Sequence, residues 1–214
     1  MIRAISHWAT VTQLGLAAAA LAQLVIAFLP VADLWAVHHP GAESAALAAT
    51  LRVGAWTLTM LSAAVAFAAI VAWAGRARAN LAAFGIRSRR ITDSVGRDPA
   101  LRRRVTALVW LLRAAVAAGA VALVLAWAAG RDNAGEIGAV RGQARAGHPV
   151  DDALAGHLLG RQLVLNLPAA ALFVLAAALA LLLIARVTSA QYGRVASLRA
   201  QEAAAPAIGG TIGA

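Results

Sequence analysis

Two short stretches of the chain collect the residue types that hold divalent metals. Asp33, His38, His39 and Glu43 fall in one, and His148, Asp151, Asp152 and His157 in the other. Imidazole nitrogens and carboxylate oxygens are ordinary ligands of zinc and copper, so a site built from both stretches would act as a metal-binding sensor. The sequences "HHP" and "HPVDDALAGH" match no specific ligand spacing, and the plainer reading is a pair of solvated polar loops. No metal is assigned. The chain has no cysteine, which excludes disulfides, thiolate nucleophiles, iron–sulfur clusters and Cys-type zinc sites. Phosphate-binding, serine-nucleophile, zinc-protease and dinucleotide signatures are all missing from the sequence, and no enzymatic activity is expected.

Arginine is the other residue type with chemical potential. All nineteen basic residues are arginine, and nine of them lie between positions 76 and 104 with only Asp93 and Asp98 to offset them. A stretch of net charge +7 raises the question of a nucleic-acid arm. It holds one aromatic, Phe84, and no recognisable nucleic-acid fold, so no nucleic-acid partner is expected. Arg113 differs from the rest because it interrupts an apolar run, and charges within such runs are functional candidates by default. Gln23 is the matching polar residue in the first apolar run.

The elements that must position these residues follow from composition. The chain is 214 residues long, 62% apolar and 13% charged; ordinary soluble domains are about 45–50% apolar and about 25% charged. Too few polar residues remain to cover a soluble surface, so lipid must be the solvent for most of the chain. A hydrocarbon core of about 30 Å takes about 20 apolar residues in a helix. Four segments satisfy this: residues 10–29, 53–75, 105–129 and 163–185. Their apolar runs are continuous, without the alternation of a membrane β-strand. The expected fold is an all-α integral membrane four-helix bundle. A cleaved leader is the rival reading of the first segment, but leader cores are about 7–15 residues, shorter than this run.

Charge orients the bundle. Residues 1–9, the middle loop and the tail from Arg186 together hold thirteen arginines, against five in the two intervening loops. The positive-inside bias places the N-terminus (1–9) and the C-terminal tail (187–214) in the cytoplasm, with the spans in the cytoplasmic (inner) membrane. Asp98-Pro99 reads as an N-cap and first helical residue, which starts the third helix near Pro99. Arg76 and Arg78 on one flank, and Arg102, Arg103 and Arg104 on the other, then sit at anionic lipid headgroups or at a partner. Each such arginine contributes about 1 kcal/mol of attraction. Arg113 enters its span by about eight residues, roughly 12 Å, within reach of snorkelling toward the surface.

The remaining expectations concern the segments between spans. Residues 130–162 read as a polar external loop. Pro30 closes the first span, and Pro168 kinks or starts the fourth. The fourth helix is expected to continue through "SAQYGRVASLRAQEAAA" and then fray into "PAIGGTIGA", which cannot bury a core. Gly15/Ala19 and Ala115/Gly119 have the four-residue spacing of close helix contacts. Every histidine lies outside the spans, so axial haem ligation is not expected, and no cofactor is assigned.

The exit of the second span, "VAWAGRARANLAAFG", resembles a motif of the domain of unknown function 4328 family, small actinobacterial membrane proteins. The matching positions are Trp73, Arg76, Arg78, Asn80 and Gly85. The end of the last span, "IARVTSAQYGRV", is similar to that family at Arg186, Thr188 and Gln191. The chain departs from the family over Ile86–Arg104, where an aromatic, Gly-Trp-rich stretch would follow. The resemblance implies a four-helix membrane topology and supplies no activity. The function expected from the sequence is a non-enzymatic scaffold or accessory subunit working through other membrane proteins or a second copy. Its alternatives are a small transporter or channel component, with Arg113 and Gln23 lining a path in an oligomer, and the metal sensor.

Overall fold

A computed structural model describes residues 4–39, 41–86, 93 and 99–204. Among these residues are five α-helices: α1 (Ser6–His38), α2 (Ala42–Ala83), α3 (Pro99–Asp132), α4 (Ala134–Arg145) and α5 (Asp152–Ala204). Four segments among the described residues are long and apolar enough to cross a membrane, namely Ser6–His38, Ala42–Ala83, Pro99–Ala128 and Asp152–Gln201. The all-α bundle expected from composition is therefore present. Asp98, the expected cap of α3, lies outside the described residues, as do Arg87, Arg89, Arg90, Arg97 and the segment 205–214.

The helices run well past the apolar segments that define them. At 1.5 Å per residue, the 42 residues of α2 span about 63 Å and the 53 of α5 about 80 Å, at least twice the hydrocarbon thickness. Neither proline ends a helix. Pro30 lies inside α1, which continues to His38, and Pro168 lies inside α5, which begins sixteen residues earlier at Asp152. A mid-helix proline leaves one carbonyl without its intrahelical donor, and neighbouring helices and local adjustment tolerate this in membrane proteins.

The polar loop expected over 130–162 is mostly helix. Ile137, Val140 and Ala144 recur at helical spacing and bury against Val37, Ala155, Leu158 and Leu159, so α4 packs across the ends of α1 and α5. Asp151 then starts α5 by accepting hydrogen bonds from the backbone N–H groups of Ala153 (2.9 Å) and Leu154 (3.2 Å). That is an N-cap geometry. α2 and α4 both end with glycine in the left-handed region, Gly85 and Gly147, each at φ 72°. After α2, Ile86 N–H donates to Leu81 C=O and Gly85 N–H to Ala82 C=O, the paired bonds that let glycine close a helix.

The spans pack in the order α2, α1, α5, α3. Small residues carry the α1–α2 seam: Thr12, Gly15 and Ala22 on one side, Ala55, Thr59, Ser62 and Ala66 on the other, all buried. Gly15 is the tightest point, since a Cβ built there would stand 3.1 Å from the backbone N and Cα of Ala66. Gly119 faces the Leu172 side chain at an ordinary 3.5 Å. The two glycines therefore predict different outcomes. Gly15→Leu should lower thermal stability in detergent by about 2 kcal/mol or more, because backbone cannot yield as a side chain does. Gly119→Ala should stay within about 0.5 kcal/mol of the parent.

α3 is the least enclosed span. Its most apolar window is 11% buried, against 28% in each of the other three. Its inward stripe, Val105, Ala115, Gly119 and Ala126, lies against α5. The register is antiparallel: Gly119 sits on Leu172, Gly130 near Gln162, and Arg104 and Leu108 share a groove with Leu182 and Arg186.

Candidate functional site

The basic end of the bundle unites the two motifs that the sequence sets more than a hundred residues apart. Trp73, at the exit of α2, donates its indole N–H to Thr188 Oγ1 of α5 at 3.3 Å. Seven residues on, Asn80 Nδ2 donates to Gln191 Oε1 at 3.1 Å, and Gln191 Nε2 donates to the Ala77 carbonyl at 3.1 Å. Asn80 and Gln191 are 2% and 1% exposed, so the Asn80 amide is met by Gln191, and the Gln191 amide by the Ala77 backbone, in place of water. Ile5, Ala9, Trp73, Ile184 and Val187 form the apolar floor beside them. Helical periodicity explains the pairing, because positions 73, 77 and 80 share one face of α2 and 184, 187, 188 and 191 one face of α5.

The arginines of this end divide into two groups. Arg76 turns inward, donating to the Ala4 carbonyl at 3.2 Å and lying 5.3 Å over the Trp8 ring. It thereby holds the start of α1 to the end of α2. Arg194 lies 5.9 Å over Phe84. Arg78, Arg102, Arg103 and Arg104 are exposed.

Arg113 and Gln23 are not brought together. Gln23 is half-buried on α1, whereas Arg113 is exposed on α3, its guanidinium 5.3 Å over the Trp110 ring. Arg113 lies two residues before the α5-facing Ala115, about 200° around the helix, and so points away from the bundle.

The opposite end holds a site that the sequence did not reveal as such. Asp33, expected in a solvated loop, is 4% exposed near the end of α1. One carboxylate oxygen pairs with Arg52 of α2 and the other with Arg141 of α4. Arg141 adds a second bond from Nε at 3.2 Å. The carboxylate thus ties three helices together. The available signal was positional: Asp33 falls one turn past the first apolar run and Arg52 one residue before the second, so a tight hairpin must set them at one depth.

The histidine-rich stretches are occupied with local contacts. His38 Nδ1 is 2.8 Å from the Leu34 carbonyl, and its Nε2 is 3.8 Å from Asp152. His39 stacks on Trp35 with ring centroids 5.0 Å apart. Asp151 is the cap of α5 and Asp33 is held by arginines. Among the described residues, no group of three or more His, Asp or Glu side chains is placed to hold a metal ion. The metal-sensor alternative therefore lacks a site among them.

Four apolar spans, a small-residue seam and polar groups gathered at the two ends define an all-α, multi-pass membrane protein. No family model, curated protein or solved structure matches the chain.

Proposed function

We propose that this protein is a non-enzymatic scaffold or accessory subunit of the inner membrane, with both termini cytoplasmic, and that it works through the outward face of α3. Arg113 carries this reading. It stands nine residues past Arg104, about 13 Å deeper along the helix, on a face with no acidic partner among the described residues. An arginine at the centre of a membrane helix costs about 2.5–3.5 kcal/mol, and such residues almost always face other protein or a watery cavity. Trp110 beneath the guanidinium lowers this cost without removing it. A neighbouring membrane helix with a carboxylate or carbonyl acceptor would remove it. Ala117 and Ala120, exposed on the same face, leave room for that helix to approach closely.

Orientation with both termini inside is supported by the arginine distribution. The resemblance to the domain of unknown function 4328 family is supported by its two motifs forming one packed unit, and we propose membership on that basis.

The test uses the absence of native cysteine. Single Ala117→Cys and Ala120→Cys proteins, expressed at native level, should form higher-mass adducts when membranes are treated with a short thiol-to-amine cross-linker. Adding Arg113→Leu should reduce those adducts at least about five-fold, the loss of roughly 1 kcal/mol of contact, while insertion stays intact. Recovery of the uncross-linked monomer alone would sink the proposal.

A further inference from the structure

The α3–α5 groove at the basic end has a rim and a floor of different chemistry. Arg104 of α3 and Arg186 of α5 line its rim with Leu101 one turn further out, and Leu108, Leu111 and Leu182 line the part below the arginines. Both arginines are exposed, and neither has an acidic partner among the described residues. In the antiparallel register, Leu108 and Leu182 each stand four residues inward of their arginine, about 6 Å deeper, and Leu111 about 10 Å deeper. The groove has a cavity volume of about 330 Å³, at the small end of the range of sites that hold a small ligand.

We infer that this groove binds one anionic phospholipid, its headgroup phosphate between Arg104 and Arg186 and the start of an acyl chain along the leucines. Charge complementarity selects the occupant. Two exposed guanidiniums with no acidic partner among the described residues call for an anion, and the leucine floor below them for an apolar tail on that anion. Basic pockets between membrane helices are where acidic headgroups bind. A free anion would satisfy the rim and leave the floor exposed. A zwitterionic lipid brings its own cation to a rim that already carries two. The inference does not depend on a partner at Arg113, which faces the other side of α3.

The test measures lipid binding to the purified full chain in neutral detergent by native mass spectrometry and thermal unfolding. Phosphatidylglycerol should bind as a single adduct, at least about ten-fold tighter than phosphatidylcholine, and raise the unfolding midpoint. Arg104→Gln/Arg186→Gln should weaken phosphatidylglycerol about 30-fold, taking each arginine as about a five-fold effect. Arg102→Gln/Arg103→Gln removes the same charge from residues that do not line the groove, and should change binding less than about three-fold. Leu108→Trp, which fills the floor and keeps both arginines, should also lose the adduct while unfolding cooperatively. Equal losses in the two double variants would mean diffuse surface attraction and overturn the inference. Equal binding of both lipids, or equal protection by inorganic phosphate, would overturn it as well.

Discussion

Asp33→Ala should lower the thermal stability of this protein more than any other single substitution outside the apolar seams. The carboxylate is almost fully buried, while Arg52 and Arg141 keep about a third of their side-chain surface in water (30% and 37%). Removing the acid leaves two guanidiniums facing each other across the junction of α1, α2 and α4. Breaking a buried pair by deleting one partner costs about 3–5 kcal/mol, and the partial hydration of both arginines places this case near about 3 kcal/mol. Replacing all three together, Asp33→Leu with Arg52→Leu and Arg141→Leu, should recover most of the loss, since apolar substitutes for a buried ion network are often neutral or better. Unfolding followed by circular dichroism in detergent decides the matter. A midpoint for Asp33→Ala indistinguishable from the parent would show that the cluster contributes nothing.

The second large effect is expected at the other end. Asn80→Leu or Gln191→Leu strands a buried amide, and each should cost about 1–3 kcal/mol, the penalty of leaving a buried polar group unpaired. The pair should be coupled: Asn80→Leu/Gln191→Leu should cost less than the sum of the singles by about 1 kcal/mol. Hydrogen bonds in the bilayer interior average nearer about 0.6 kcal/mol by the same kind of cycle. These amides lie at the basic end of the bundle, beyond the apolar runs that end at Gly75 and Ala185, where the unfolded reference state would meet water. Strict additivity would mean that the two side chains do not act on each other.

The two ends also show what the sequence could and could not supply. The spans were legible because a run of about 20 apolar residues admits one structure in lipid. α4 was missed because only Ile137, Val140 and Ala144 mark it, too few for a periodic signal against a polar background. Pro30 does not end α1 and Pro168 does not start α5, because helix-breaking rules learned in water weaken where neighbouring helices supply the constraint. Gly15 and Gly119 looked alike in an alanine-rich chain, and only the distance to the facing backbone separates them. Trp73, Asn80, Thr188 and Gln191 were noticed through a resemblance. Nothing in their spacing said that they would meet, because pairing across 111 residues is decided by tertiary packing. Asp33 was grouped with histidines by proximity in sequence, whereas its partners lie 19 and 108 residues away.

The packing order of the spans has a consequence for how the chain is made. α1 and α2 are consecutive and share a seam, so they can pair as a hairpin as soon as the first 83 residues have been inserted. α3 follows them into the bilayer but packs on neither to any extent; its partner is α5, which begins only at Asp152. During synthesis, at about 5–20 residues per second, α3 therefore spends an interval of seconds beside a finished hairpin with no helix of its own chain to hold it. Throughout that interval its outward face and its α5-facing stripe are both open. A companion helix that engages Arg113 then would retain α3 before the bundle closes, and would make assembly with a partner a step in biogenesis.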